Sequence, residues 1–328
     1  MDSPPPRPSR RRPDDLILYV GTGACALLII LLVSAIGVTL YLDSRLAQQK
    51  FGLSFWTGSQ WDPVSGDFGA LPFIWGTLYS SFLALLVATP VALGIAVFLS
   101  ELCPRGLRAP LVYLTELLAA IPSIVYGLWG LYAIVPLVRR LQLSLPAWLR
   151  SLPIFSGPPV GVSLAAAALI LAVMIVPFTA SVAREVLKAV PVAQREAAYA
   201  LGATRWEAIR LALGWGRTGI IGAVMLGLSR ALGETMAVTM VIGNSPQVAL
   251  SIFAPQYTMA AVIANEFTEA TGDLYLHALV EIGFVLFVIT VLINALSRLL
   301  IWSVDAGGPV RAWRGARASV VAAPASAA

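Results

Sequence analysis

Apolar and polar positions fall into long blocks along this chain rather than the short periods of soluble helices and strands. Six blocks are apolar over about 20 residues or more, the length a helix needs to cross a bilayer core: 16–42, 73–100, 110–137, 162–183, 218–243 and 274–301. None shows the period-two alternation of a membrane barrel strand, and backbone in lipid must satisfy its own hydrogen bonds. The pattern predicts an all-α membrane protein with six transmembrane helices.

Composition agrees: 58% of the 328 residues are apolar and only 12% charged, about half the charge of an ordinary soluble chain. Arg7, Arg10, Arg11 and Arg12 precede the first block as they would a secretory signal. The block is too long for a signal core, however, and no A-x-A site closes it. It reads as an uncleaved span behind a Pro/Arg-rich disordered tail at 1–15. The six-helix membrane body is expected at 16–302, with a cytoplasmic tail at 303–328.

The net charge of +5 resolves into topology. Lys and Arg number 16 on one side, in the N-terminal tail, around Arg105 and Arg108, across 184–217 and from Arg298 onward. The other side holds five: Arg45, Lys50, Arg139, Arg140 and Arg150. The positive-inside rule then puts both termini in the cytoplasm of a bacterial inner-membrane protein, and a nucleic-acid partner is not expected. One histidine and two cysteines exclude a His/Cys metal cluster or a disulfide framework. No cofactor is expected.

Aromatic residues near span ends, such as Trp75, Tyr79, Trp129, Tyr132 and Trp302, read as an interfacial belt. Phe51, Phe55, Trp56, Trp61 and Phe68 enrich the first outer loop, where partner docking and membrane-surface packing are equally plausible roles. The last outer loop, 244–273, has no basic residue.

The connection 184–217 carries the strongest local signals. Pro191 suits a helix start, 192–201 favours helix, and Gly202 can take the left-handed conformation that ends one. Thr204 with Glu207 then forms a T-x-x-E capping box for a second helix. A helical hairpin held against the membrane suits being gripped by another protein.

Glu196-Ala197-Ala198, three further residues and Gly202 resemble the EAA loop of importer-type ABC permeases. The family pattern closes on I-x-L-P, where this chain has Ala212-Leu213-Gly214-Trp215. The segments LLAAIPSIVYGLW at 117–129, GATRWE at 202–207 and RALGETMAVTMVIGN at 230–244 narrow the resemblance to the phosphate-specific transport system. The N-terminal half is more similar to its PstC-type than to its PstA-type permease. The resemblance implies a type I (MetI-like) bundle that moves inorganic phosphate with a PstA-type second permease, a PstB-type ATPase dimer and an extracytoplasmic PstS-type binding protein. It also implies that Glu196, Ala197, Ala198, Gly202, Thr204 and Glu207 couple to the ATPase. Neither lysine follows a glycine, so the chain carries no G-x-x-x-x-G-K-[ST] loop of its own.

Arg230 and Glu234 stand near the centre of the fifth block, four residues apart and on one helix face. They are expected to line a substrate path with Thr235 and Thr239, or to pair with each other. Beside them runs a ridge of small residues, Gly219, Ala223, Gly227, Ala231, Thr235, Thr239 and Gly243, suited to close helix contact. Pro122 should kink the third span, placing Ser123 and Tyr126 by the path. Glu116, and Glu281 four residues after His277, read as helix-packing contacts. Two alternatives remain: a self-sufficient proton-coupled transporter using Glu234, Glu116 or Glu281, and an ABC permease for sulfate or molybdate. An intramembrane enzyme is disfavoured, since no H-E-x-x-H or G-x-S-x-G occurs.

Overall fold

A computed structural model describes residues 13–306 and is helical almost throughout. The first span is α1 (Pro13–Asp43), followed by short helices α2 (Arg45–Phe51) and α3 (Ser54–Thr57). A two-stranded hairpin pairs β1 (Trp61–Asp62) with β2 (Asp67–Phe68). Next comes α4 (Leu71–Val97), extended by a π-turn at Phe98–Leu102. Helices α5 (Arg105–Ala120), α6 (Ser123–Trp129) and α7 (Val135–Ser144) follow, the last two joined by a π-turn, then the short α8 (Ala147–Arg150) and the long α9 (Leu164–Lys188). The hairpin expected between the fourth and fifth blocks is α10 (Val192–Ala200) and α11 (Arg205–Trp215). The chain ends through α12 (Arg217–Leu232), α13 (Met236–Thr239), α14 (Met259–Glu266) and α15 (Asp273–Ala306). The two terminal tails otherwise lie outside the described residues.

Helix α9 is the axis of the bundle, and α4 packs along it. Ala84, Ala88, Ala92 and Ala96 of α4, each fully buried, recur every fourth residue; Ala84 and Ala88 share a buried cluster with Ala166, Ala167 and Ala172 of α9, and Ala96 shares another with Ala183. Lipid tails are as apolar as leucine, so helices in a bilayer associate by close packing, and a seam of methyl groups brings two backbones together. This four-residue seam has the same period as the expected seven-residue ridge on the fifth block and is equally visible in the sequence. The ridge itself is half realised. On α12, Ala223, Gly227 and Ala231 are buried, and a Cβ on Gly227 would come within 2.5 Å of Thr179 Oγ1 on α9. Thr235, Thr239 and Gly243 lie beyond the end of that helix.

Five helices are long and apolar enough to span a bilayer. A sixth span requires joining α11 to α12 across a bend of 68° at Gly216. Two predicted spans are thereby corrected. The third block does not run through 110–137: α5 stops at Ala120, Ile121 and Pro122 are extended (ψ 131° and 139°), and the span is Ser123–Ser144. Pro122 therefore breaks the helix rather than kinking it. The fifth block, predicted at 218–243, is helical only to Leu232, with Gly233–Thr235 separating α12 from α13.

The outer loop predicted at 244–273 is packed into the bundle. Its start returns beside α9, whose first N–H groups have no partner within their own helix. Ser163, Leu164 and Ala165 donate instead to the carbonyls of Val241, Ala254 and Ile252 at 3.0, 3.1 and 2.7 Å. Trp75 and Tyr79 donate to Ala249 and Leu250 carbonyls of the same segment, so these two anchor it rather than join a lipid belt. Trp129, Tyr132 and Trp302 are exposed, as a belt requires.

The aromatic residues of the first predicted outer loop pack largely against one another. Phe55 and Phe68 are buried, and Trp61 packs edge-on against Phe68 and Phe73 while its indole donates to Glu266 at 2.8 Å. The aromatic residues form a small outer core of their own. His277 and Glu281 do not pair: His277 meets the Asp43 carbonyl, and buried Glu281 accepts from Gln48 at 3.0 Å. Both cysteines are free.

Candidate functional site

Two helix breaks face each other inside the bundle, and the candidate residues gather there. The first is caused by Pro122, which has no N–H to give the Leu118 carbonyl one turn back. Tyr126 fills that vacancy, its hydroxyl donating to Leu118 O at 2.8 Å. The second break follows Leu232. Glu234 Oε1 accepts from the Ala237 amide at 3.4 Å at the start of α13, Thr235 Oγ1 donates to Gly233 O at 3.3 Å, and Thr239 Oγ1 to Thr235 O at 2.8 Å.

Helices α6 and α13 meet with almost no side chain between them. A Cβ on Gly127 would lie 2.9 Å from Ala237 Cα and 2.8 Å from Met240 Sδ. Only glycine permits this approach, which locks the two breaks together.

Arg230 stands at this junction, in the last turn of α12 and about 20 Å along that helix from Arg217 at 1.5 Å per residue. Its guanidinium lies 5.5 Å from the centre of the Phe178 ring on α9 and near enough to the Tyr126 phenol for the two to interact electrostatically. It makes no ion pair with Glu234, contrary to one of the two expectations, because that carboxylate is turned to the α13 backbone. Arg230 is half-buried, and among the described residues no hydrogen bond reaches its guanidinium. An arginine at this depth costs about 2.5–3.5 kcal/mol on insertion scales, and a ring face recovers part of that.

The six expected path residues thus share one junction but differ in what they offer. The hydroxyls of Tyr126, Thr235 and Thr239 are spent on local backbone, Glu234 on α13, and only Arg230 and half-buried Ser123 keep uncommitted polar groups. Phe178 was not anticipated, since an aromatic residue in an apolar span carries no signal until the cation above it is seen. Glu116 proves to be on α5, outside the spanning segment, 3.4 Å from Arg184 at the cytoplasmic end of α9.

The second set of candidates lies on the hairpin. Gly202 has φ +85°, and the Thr204 capping box is complete, with the Thr204 amide 2.7 Å from Glu207 Oε2 and the Glu207 amide 3.4 Å from Thr204 Oγ1. That backbone bond, followed by the Thr204 hydroxyl, holds the Glu207 carboxyl below its ordinary range. No residue of α10 is buried. Val192, Tyr199, Leu201 and Trp206 present apolar side chains outward, Leu201 at 90% exposure, an apolar surface that suits a partner.

No family model matches the chain. The phosphate transport system permease protein PstC of Mesorhizobium japonicum is 47% identical over 298 residues, covering 89% of this chain and 91% of the relative. That of Haemophilus influenzae is 49% identical over 286 residues, covering 85% and 90%. PstC 2 of Mycobacterium tuberculosis is 37% identical, covering 93% and 94%. Among solved structures, a chain of the inward-facing MetNI methionine ABC transporter superposes with a TM-score of 0.54 at 18% identity, covering 71% of this chain and 94% of that one. This last likeness speaks to the fold alone, that of an ABC importer permease bundle.

Proposed function

The chain belongs to the PstC family of phosphate transport permeases, and from that premise we propose that it forms one wall of an ATP-driven path for inorganic phosphate across the bacterial cytoplasmic membrane. The observation that carries this reading is Arg230, a half-buried guanidinium at the junction whose donors no group among the described residues takes up. A tetrahedral oxyanion matches that donor set, because the planar fork presents paired N–H groups to two oxygens at once.

Leu226 of α12 and Met236 of α13 are about half exposed, an apolar surface suited to one side of a path. A second, PstA-type permease would close the other. The outward apolar residues of the hairpin suit a seat on a PstB-type ATPase pair, which would supply the energy, and a PstS-type binding protein would deliver phosphate outside. Both termini then lie in the cytoplasm. The proton-coupled alternative loses support, since Glu281 is bonded to Gln48 near the outer end, Glu116 sits beside Arg184, and Glu234 is turned to backbone.

The test is ATP-dependent phosphate uptake by the assembled complex carrying Arg230→Gln, with subunit levels checked and sulfate and molybdate as competitors. Uptake should fall one to two orders of magnitude, matching the loss of a charged hydrogen bond of about 1.5–3 kcal/mol. Wild-type uptake by the variant would refute the role of Arg230, and inhibition by sulfate rather than phosphate analogues would refute the substrate.

A further inference from the structure

The hairpin is tied to the membrane bundle by a buried ion pair at the cytoplasmic end of α4. Glu101 lies in the π-turn Phe98–Leu102, where the helix widens and the Cys103 amide reaches back five residues to Phe98 O at 2.7 Å. Arg195, in the first half of α10, places Nη2 2.7 Å from Glu101 Oε1. The same nitrogen donates to Leu187 O at 2.8 Å, and Nη1 donates to Val190 O at 3.0 Å. From the start of α11, Arg205 Nη2 donates to the Glu101 carbonyl at 3.0 Å. On the far side, Arg108 of α5 donates to Ser100 O at 2.9 Å. One turn of α4 thus gathers side chains from both hairpin helices and α5, while Arg195 also grips the end of α9.

Among the described residues this is the one ion pair in which both side chains are mostly buried, at 17% and 15% exposure. In every other, at least one partner is more than half exposed. A buried pair adds little net stability, because desolvating two charges offsets their attraction, but removing either partner strands the other. Its effect is to define one arrangement. The remainder of α10 has no buried residue, so Arg195 is where α10 is fixed, and α4 in turn is fixed to α9 by the alanine seam.

We propose that Glu101 and Arg195 are positioning residues that pass displacement of the hairpin to the α4–α9 unit. This step rests on the reading of the hairpin as the ATPase contact. It assigns the transmission to a specific side-chain pair and directs it to α4, not to α12, although α12 follows the hairpin directly in sequence and carries Arg230.

The test compares Glu101→Gln, Arg195→Gln, Arg195→Lys and the reversed pair Glu101→Arg with Arg195→Glu, each in the complete transporter reconstituted with its ATPase and binding protein. The readout is phosphate moved per ATP hydrolysed. Both Gln variants should keep the ATPase bound and hydrolysing while the ratio falls about tenfold or more, given the stranded charge. Arg195→Lys should fall between them and the wild type, since one ammonium nitrogen cannot span Glu101 and the Leu187 and Val190 carbonyls as the two guanidinium nitrogens do, and the reversed pair should regain part of the ratio. On the full chain alone in detergent, Glu101→Gln should speed amide exchange in α10. An unchanged ratio overturns the proposal, as does an equal fall in hydrolysis and uptake, or unaltered exchange in α10. Failure of the underlying reading shows separately: Leu201→Asp would then leave ATPase retention intact.

Discussion

The cytoplasmic hairpin and the intramembrane junction are built from the same ingredients, helix ends and glycines, yet they differ in where their instructions lie. Around Gly202 every instruction is local. Proline starts α10, a glycine at φ +85° ends it, and Thr204 and Glu207 cap α11 within four residues. At the junction, local groups meet the polar atoms freed at each break, but partners far along the chain hold the two breaks in place: Gly127 of α6 against Ala237 of α13, and Arg230 of α12 against Phe178 of α9. A helix end in water is finished by its own neighbours or by solvent, whereas one inside a bilayer must find protein to complete it. The hairpin should accordingly tolerate substitutions that the junction does not.

Gly127→Leu is the severest challenge to that contrast. Its side chain must enter space held by the α13 backbone, and overpacking of this kind costs about 1–3 kcal/mol or more. The variant should lose phosphate uptake and show a lowered melting temperature in detergent. Full activity with unchanged stability would mean that the two breaks are not locked together.

Gly202→Val tests the hairpin with a smaller effect. No atom lies near that glycine, so the cost is conformational only, about 1–2 kcal/mol for placing a Cβ in the left-handed region. Faster amide exchange confined to the hairpin, with the membrane bundle unaffected, is the expected result. Global destabilisation would show that the hairpin is not the separable unit described.

The gentlest probe is acid. Because the Glu207 carboxyl titrates below its ordinary value of 4.5, its contribution to the cap is fully present above that pH and disappears as pH falls through the lowered value. Carbon-13 NMR of Glu207 in the full chain should place its titration below 4.5 and show only a partial upward return in Thr204→Val. The return is partial because the Thr204 amide, the larger cause, remains. Titration at the ordinary value in the unmodified chain would remove the capping box as an organising device.

Legibility followed the same division. The apolar blocks located the membrane segments, because a bilayer demands about 20 apolar residues wherever it is crossed, and no tertiary contact can waive that. Residues 110–122 were nevertheless read into the third span, and 233–243 into the fifth, because apolar length does not report where a helix stops inside lipid. Arg230 was legible as an exceptional charge. Its freedom from Glu234 was not, since spacing of four on a continuous helix predicts a pair, and the break at Gly233 turns Glu234 toward α13 instead.

By itself, then, the sequence determined the helical class, the approximate spans and the capped hairpin at 192–215, all consequences of hydropathy and of chemistry within a few residues. Only the tertiary structure decided that two spans are broken, that 241–254 closes the start of α9, that Arg230 rests on Phe178, and that Arg195 reaches Glu101. The last three join groups tens of residues or more apart, and a buried polar group takes whichever partner the packing brings within about 3 Å, which no local pattern records.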